Sequence, residues 1–196
     1  ERDIAAKLDN TLALDYEPGR VEIVVASDCS TDRTDEIVRG YAHAGVVLCR
    51  QPVRLGKTAA QNAAVRVAHG DVLVFSDATT MYEPDALRKI VRSFADPTVG
   101  AATGHVVYVD RADTAVGRGA RSYWGYEQFL KHCESRFGSL VGVHGCLYAV
   151  RQSAYRDLAH DMSSDFVIAS EIRMQGLRTV YDPDAVSSEE TNVRGR

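Results

Sequence analysis

Short apolar runs alternate with amphipathic segments through the first half of the chain. Runs rich in β-branched residues predict strands at residues 21–26, 46–49 and 71–75. Helical patterns follow them, as in the alanine-rich segment 57–69 and in the segment that Pro84 opens. Apolar strands separated by helices are typical of a parallel sheet covered on both faces. The pattern therefore predicts an α/β fold with a mostly parallel sheet flanked by helices on both faces.

The second half of the chain is less regular. Its predicted elements are an extended stretch at 99–109, a helix within the aromatic-rich segment 121–137, a strand at 143–150, a helix from Ser163 or Ser164 to Gln175 that Gly176 ends, and short strands at 179–181 and 185–187. No linker-like tract of glycine, serine or proline separates the two halves. We therefore expect a single domain over residues 1–196.

Composition excludes several classes of protein. The 196 residues suit one domain, and 23 basic against 27 acidic residues leave a net charge of −4, which argues against a nucleic-acid partner. The longest apolar runs fall far short of the roughly 20 residues that a membrane helix needs. The four cysteines fit no zinc template, so we expect reduced thiols.

Candidate chemistry lies where predicted strands end and helices begin, which is where open parallel sheets bind ligands. Asp28 follows the first strand, and Asp77 follows the third, where a carboxylate suits Mg²⁺ or Mn²⁺ and their phosphates. Asp165 opens a helix, whose dipole favours a charged carboxylate that could act as a general base. Each aspartate could instead cap the turn or helix that follows it.

The segment Gly56-Lys57-Thr58 raises a second possibility, because it follows a strand and opens a helix as a phosphate-binding P-loop does. The first glycine of that motif is missing, since Gln51 stands in its place. A helix N-terminus with a lysine can still hold an anion. A P-loop ATPase or kinase therefore remains an alternative.

Five segments, in order, resemble the family 2 inverting glycosyltransferases of the Rossmann-like GT-A fold. They are residues 1–20, VVASDCSTDRT (24–34), RLGKTAAQNAAV (54–65), VLVFSDATTMYEPDAL (72–87) and SSDFVIASEIRMQGLRTVYDPDAV (163–186). The resemblance covers essentially the whole chain, although the family's opening strand and its arginine-rich closing motif are not visible. It implies an inverting transfer of a sugar from a nucleotide sugar to an acceptor hydroxyl.

The resemblance also implies roles for the donor site. Asp28 would contact the uracil or ribose of a UDP-sugar, and Lys57 would lie near the nucleotide. Asp77 would bind the diphosphate through a divalent cation, Mg²⁺ or Mn²⁺. Residues 1–100 would form the nucleotide-binding half of the domain.

For the acceptor site, the resemblance implies that Asp165 deprotonates the acceptor hydroxyl and that Gly145 and Cys146 line the acceptor site. Residues 101–196 would form this acceptor-binding half. The expected partners are a nucleotide-sugar donor and a glycan, lipid or other hydroxyl acceptor. We expect an excised piece of a longer, membrane-anchored protein of the cytoplasmic face that makes cell-envelope glycan, with membrane contact only through segments outside this chain.

The chain departs from the family pattern at several positions. Cys29 and Arg33 replace glycines of the usual loop, and Ser164 replaces the acidic residue before the base. Thr79 stands where the second carboxylate of an Asp-x-Asp motif would be. These departures leave a non-catalytic nucleotide-sugar-binding module as a further alternative.

Overall fold

The computed structural model describes residues 1–109, 127–159 and 162–190. The helices are α1 Ile4–Leu12, α2 Thr34–Gly40, α3 Lys57–Val67, α4 Ala86–Arg92, α5 at residues 127–137 and α6 Ser164–Met174. The strands are β1 Ile23–Ser27, β2 Val46–Arg50, β3 Val72–Phe75, β4 Thr80–Tyr82, β5 Val99–Val109, β6 Tyr148–Arg151 and β7 Arg178–Glu190. The first part of the predicted aromatic segment, residues 121–126, lies outside the described residues.

The strands form two sheets. β1 pairs with β2 in parallel, and the second sheet has the order β3-β6-β5-β7-β4. In the second sheet β5 and β7 are parallel, and the other three pairings are antiparallel. The α/β class is confirmed. Among the described strands the sheet is mixed rather than mostly parallel, because only the β1–β2 and β5–β7 pairs are parallel.

Helices cover the second sheet on both faces, as expected. Neighbouring residues of a strand point to opposite faces, and Ala101 and Ala102 of β5 divide in this way. Ala101 packs in a core with Ile168 and Ile172 of α6, whereas Ala102 packs in a second core with Ile90 of α4. All five side chains are fully buried.

β7 replaces the two short strands predicted at 179–181 and 185–187. Tyr181 pairs with Thr103 and Val186 pairs with His105, so residues 182–185 face a single residue of β5, Gly104. This β-bulge brings the carbonyl oxygen of Ala185 to 2.5 Å from the place where a Cβ at position 104 would lie. Only glycine leaves room for it. The sequence showed both halves of the strand but not the bulge that joins them.

Two other strands differ from the prediction. The strand expected at 143–150 begins only at Tyr148, because residues 145–146 form a turn. β4 was not predicted, since three residues are too few to show a period. The turn at 145–146 and the short strand β4 both lie beside the candidate site described below.

A groove of about 420 Å³ separates the two sheets. Side chains of β1 and β3 line it, including Val24 and Leu73, and no hydrogen bonds join these two strands in the described residues. Two helices connect the two parts of the molecule instead. α3 packs on β1 and β2 and donates from Gln61 to the hydroxyl of Tyr148 in β6 at 3.2 Å. α1 packs on α2 and also contacts β4. At the β4 contact, Asn10 donates to the carbonyl of Tyr82 at 3.0 Å and accepts from its N–H at 2.8 Å.

Candidate active site

Four structural features converge at the carboxyl ends of β1 and β3. They are the loop that precedes α3, the N-terminus of α3, the first turn of α6 and the turn at residues 145–146. Most of the residues that the sequence singled out lie on these features. In the described part of the chain, no helix is long and apolar enough to cross a membrane, and all four cysteines are free thiols.

Asp28 ties the loop before α3 to the end of β1. Its two carboxylate oxygens accept hydrogen bonds from the backbone N–H groups of Leu55 and Gly56, at 2.8 and 2.9 Å. Gly56 has a φ of +95°, which is open to glycine and strained for other residues. Asp28 therefore shapes the entrance to α3. A carboxylate has about four acceptor positions, so capacity remains for the predicted contact with a base or ribose.

Cys29 follows in a left-handed conformation, with a φ of +54°, and is the one described residue other than glycine with a positive φ. The sequence comparison with the family placed a glycine here. A side chain in this conformation carries strain because its Cβ crowds the backbone. Cys29 in place of glycine therefore lowers stability locally, and the loop still adopts its left-handed conformation there.

Lys57 and Asp77 form an ion pair across the site, with 2.6 Å between Nζ and Oδ1. Burial lowers the pKa of Lys57, but the hydrogen bond and charge of Asp77 and the charge of Asp165 outweigh it and raise the pKa overall. Lys57 is therefore an ammonium ion that faces both aspartates. The structure thus brings together three residues that lie far apart in the sequence.

Asp165 lies in the first turn of α6 and faces Gly145. A Cβ at position 145 would lie 2.7 Å from Oδ2 of Asp165 and 3.1 Å from Oδ1. The carbonyl of Asp165 accepts from the N–H of Val143 at 2.9 Å, which fixes α6 against the loop that carries Gly145. Ser164 donates to Oδ1 at 3.3 Å. Gly145 is thus a contact residue of the predicted base.

Cys146 is buried, and its thiol contacts a carboxylate of β7. Its Sγ donates to Oε2 of Glu189 at 2.9 Å. Burial, the hydrogen bond to Glu189 and the charges of Glu189 and Asp77 raise the pKa of Cys146 to about 12. The thiol is therefore protonated, and its contact with an acceptor stays a prediction.

Sequence reasoning missed Glu189 and Lys7. Glu189 lies on β7, half-buried, and accepts a hydrogen bond from Thr79 at 2.9 Å. Lys7 is buried in α1, donates to the carbonyl of Thr80 at 2.7 Å and lies 3.8 Å above the ring of Tyr82. Lys7 occupies a position of the apolar stripe with Ile4 and Leu8, and that pattern was a signal of a buried lysine.

A divalent cation fits the oxygen chemistry of this region. Asp77 offers a hard carboxylate, the kind of ligand that Mg²⁺ and Mn²⁺ prefer. No group of three or more histidine, cysteine, aspartate or glutamate side chains forms a complete metal cage in the described residues. That is compatible with Mg²⁺ or Mn²⁺, which are typically held by one or two carboxylates together with substrate phosphates.

The family model of glycosyl transferase family 2 matches residues 2–159, and the chain belongs to this family. An N-acetylglucosaminyltransferase of Rhizobium sp. (strain N33) is 28% identical over 203 residues, which cover 94% of this chain and 44% of the relative. The chain thus spans less than half of that relative. Family membership excludes the P-loop alternative, in agreement with Gln51.

Solved structures show the same fold. The mannosyltransferase PcManGT from Pyrobaculum calidifontis, in complex with GDP-Man and Mn²⁺, has a TM-score of 0.83 and 31% identity over 99% of this chain and 55% of its own. TarS 1-349 of Staphylococcus aureus, in complex with UDP-GlcNAc, has a TM-score of 0.73 and 16% identity over 100% of this chain and 56% of its own. The GT-A glycosyltransferase fold expected from the sequence is confirmed.

Proposed function

We propose that this chain transfers N-acetylglucosamine from UDP-N-acetylglucosamine to a hydroxyl group of a growing glycan, with inversion at the anomeric carbon. The observation that carries the proposal is the approach of Asp165 to Gly145, opposite the Lys57–Asp77 pair. The absence of a side chain at position 145 allows the Asp165 carboxylate to lie against the turn that carries Gly145 and Cys146. The name of the Rhizobium relative and the UDP-GlcNAc bound to TarS support the choice of donor.

Each side chain has a defined task in this proposal. Asp165 accepts the proton as the acceptor oxygen attacks the anomeric carbon, and that carbon's bond to the diphosphate breaks on the opposite face. Lys57 offers its ammonium group to the diphosphate. Asp77 holds the divalent cation, Mg²⁺ or Mn²⁺, which when bound neutralises charge on the departing UDP. The Mn²⁺ complex of PcManGT supports this cofactor.

The remaining expectations follow from the same proposal. Asp28 contacts the uracil or ribose, and residues 1–100 form the donor half of a single domain. Gly145 and Cys146 belong to the acceptor half, residues 101–196. The acceptor is a glycan, lipid or other hydroxyl compound of the cell envelope, and the protein works at the cytoplasmic face, with membrane contact only through segments outside this chain.

Asp165→Asn tests the reaction. We expect transfer, measured as UDP release from UDP-N-acetylglucosamine with N-acetylglucosamine oligomers as acceptor, to fall by about 10²–10⁴-fold, because asparagine cannot accept the proton. Calorimetric titration should show UDP binding close to that of the unmodified protein. Glu171→Gln changes a carboxylate on the same helix and serves as the control.

Two outcomes would contradict the proposal. Transfer retained by Asp165→Asn would mean that another group is the base. UDP binding without any transfer or hydrolysis in the unmodified protein would favour the non-catalytic binding module. ATP, titrated in parallel, should bind far more weakly than UDP.

A further inference from the structure

Glu189 places a carboxylate beside the position where the metal-binding motif lacks one. The sequence has Thr79 two residues after Asp77, at the place of a second acidic residue. The hydroxyl of Thr79 donates to Oε1 of Glu189 at 2.9 Å, although 110 residues separate the two in the chain. The folded protein therefore has a second carboxylate beside Thr79, although the motif itself lacks one.

The sheet holds Glu189 in this position. In the register of β7, Glu189 pairs with Thr80 of β4 on one side and with Tyr108 of β5 on the other. Its backbone is thus fixed by two neighbouring strands rather than by a loop. Because Thr80 directly follows Thr79, the strand pairing brings the Glu189 side chain to the end of the segment that carries Asp77.

The electrostatic surroundings of Glu189 favour a cation. Its oxygens accept hydrogen bonds from Thr79 and from the thiol of Cys146, both neutral donors. In the described ranges, no lysine, arginine or histidine lies within salt-bridge distance of Glu189. The backbone N–H of Thr80, the strand partner of Glu189, donates to the carbonyl of Asp77 at 3.2 Å, which links the two carboxylate positions. Lys57 forms its direct ion pair with Asp77.

We propose that Glu189 supplies the second carboxylate of the cation site, in place of the acidic residue that Thr79 replaces. Asp77 and Glu189 would then both be ligands of one Mg²⁺ or Mn²⁺ ion, which typically binds one or two carboxylates together with substrate phosphates. Thr79 orients Glu189 through its hydroxyl. The inference rests on the proposed function, because the diphosphate of the nucleotide sugar completes the site.

Glu189→Gln tests this role by a measurement that does not depend on activity. The signal of free Mn²⁺ in electron paramagnetic resonance gives the Mn²⁺ affinity, with and without saturating UDP. We expect Glu189→Gln to lower the affinity for Mn²⁺ by tenfold or more, because an amide oxygen is a weaker ligand than a carboxylate. UDP binding without metal should be unchanged.

Two further variants sharpen the experiment. Glu83→Gln removes the same charge from the exposed loop after β4 and should leave Mn²⁺ affinity unchanged. Thr79→Asp in the Glu189→Gln background restores a carboxylate at the motif position and should recover much of the affinity. Thermal unfolding of each variant shows whether the fold is intact.

The outcomes separate this inference from the proposed function. Equal Mn²⁺ affinities of Glu189→Gln and the unmodified protein would overturn the inference, as would an equal loss in Glu83→Gln. UDP binding with no Mn²⁺ binding would also overturn it and leave the nucleotide function standing. Mn²⁺ binding that depends on Glu189, without UDP binding, would support the cation site and reject the proposed function.

Discussion

Gly145 and Asp165 lie so close together that each restricts what the other position can hold. Any side chain at position 145 would begin 2.7 Å from Oδ2 of Asp165, well inside ordinary van der Waals contact. The absence of a side chain at position 145 leaves room for the Asp165 carboxylate, which the proposed reaction uses as its base. In the proposed reaction, a glycine at this position therefore serves the base as well as the turn.

Gly145→Ala should therefore impair transfer without unfolding the protein. The new methyl group pushes the Asp165 carboxylate aside, and a displacement of about 1 Å at a reacting group can cost about 10²-fold in rate. We expect kcat to fall by about this factor while the calorimetric affinity for UDP is retained. Gly142→Ala is the matched control, because a Cβ there would make only ordinary contacts at 3.6 Å. If Gly145→Ala and Gly142→Ala transfer equally well, the close approach of residue 145 to Asp165 does not matter for the reaction.

At the scale of the element, β7 is one strand, and its path is determined by its pairing with β5. The bulge at residues 182–185 fits only because Gly104 lets β5 approach the carbonyl of Ala185. Asp182 of the bulge is buried and paired with Arg92 of α4, with its Oδ1 3.0 Å from the guanidinium. The bulge also sets the register beyond it and so determines that Glu189 reaches Thr79.

Gly104→Ala should destabilise the whole domain. A Cβ at this position would lie 2.5 Å from a backbone oxygen and from the side chain of Leu147, and neither can move without shifting a strand. Forcing a group into a packed core costs about 1–3 kcal/mol, so the free energy of unfolding should fall by this amount. Denaturant unfolding measures it, with Gly138→Ala, which meets no atom within 4 Å, as the control. If the free energy of unfolding does not change, the bulge rearranges to accommodate the new methyl group without cost.

At the scale of the molecule, α1 holds together two sheets that share no hydrogen bonds between β1 and β3 in the described residues. Lys7 is central to this contact, because its ammonium group is buried against the carbonyl of Thr80 and the ring of Tyr82. Burial lowers the pKa of Lys7 to about 8, against the opposing charge of Asp77. The folded protein therefore holds this proton less tightly than the unfolded chain does.

The Lys7 contribution to stability should rise with pH. Below pH 8 the folded state bears the full cost of a buried charge, and that cost disappears as pH rises from about 8 to 10.5, where the unfolded lysine also loses its proton. Lys7→Met removes the effect. The free energy of unfolding of the unmodified protein, relative to Lys7→Met, should increase by roughly 2 to 3 kcal/mol over this range.

The comparison with Lys7→Met cancels other groups that titrate in the same range, such as Cys146 and the buried tyrosines. Urea unfolding at a series of pH values gives the difference. Lys89→Met, which removes a lysine paired with Asp85 at the surface, controls for the loss of a lysine as such. A difference independent of pH would show that Lys7 is charged at no cost in the folded state.

The elements that the sequence predicted well are those whose signal is local. α6 begins at Ser164, and Gly176, with a φ of +77°, follows its end as expected. β5 spans Val99–Val109 as predicted. The prediction was less successful where residues far apart in the chain determine the local structure. Examples are the turn at 145–146 and the three-residue strand β4, which forms because β7 pairs with it.

The sequence by itself determined the α/β class and the family, because periodicity and ordered motifs depend only on neighbours in the chain. The resemblance to the family then predicted the residues of the donor and acceptor sites. The sequence placed Asp28, Lys57, Asp77 and Asp165 at the ends of elements. Only the tertiary structure decided which side chains meet: the Lys57–Asp77 pair, the approach of Asp165 to Gly145, and the Glu189 carboxylate beside Thr79. These contacts join residues that strand pairing and helix packing bring together, and no local pattern records that pairing.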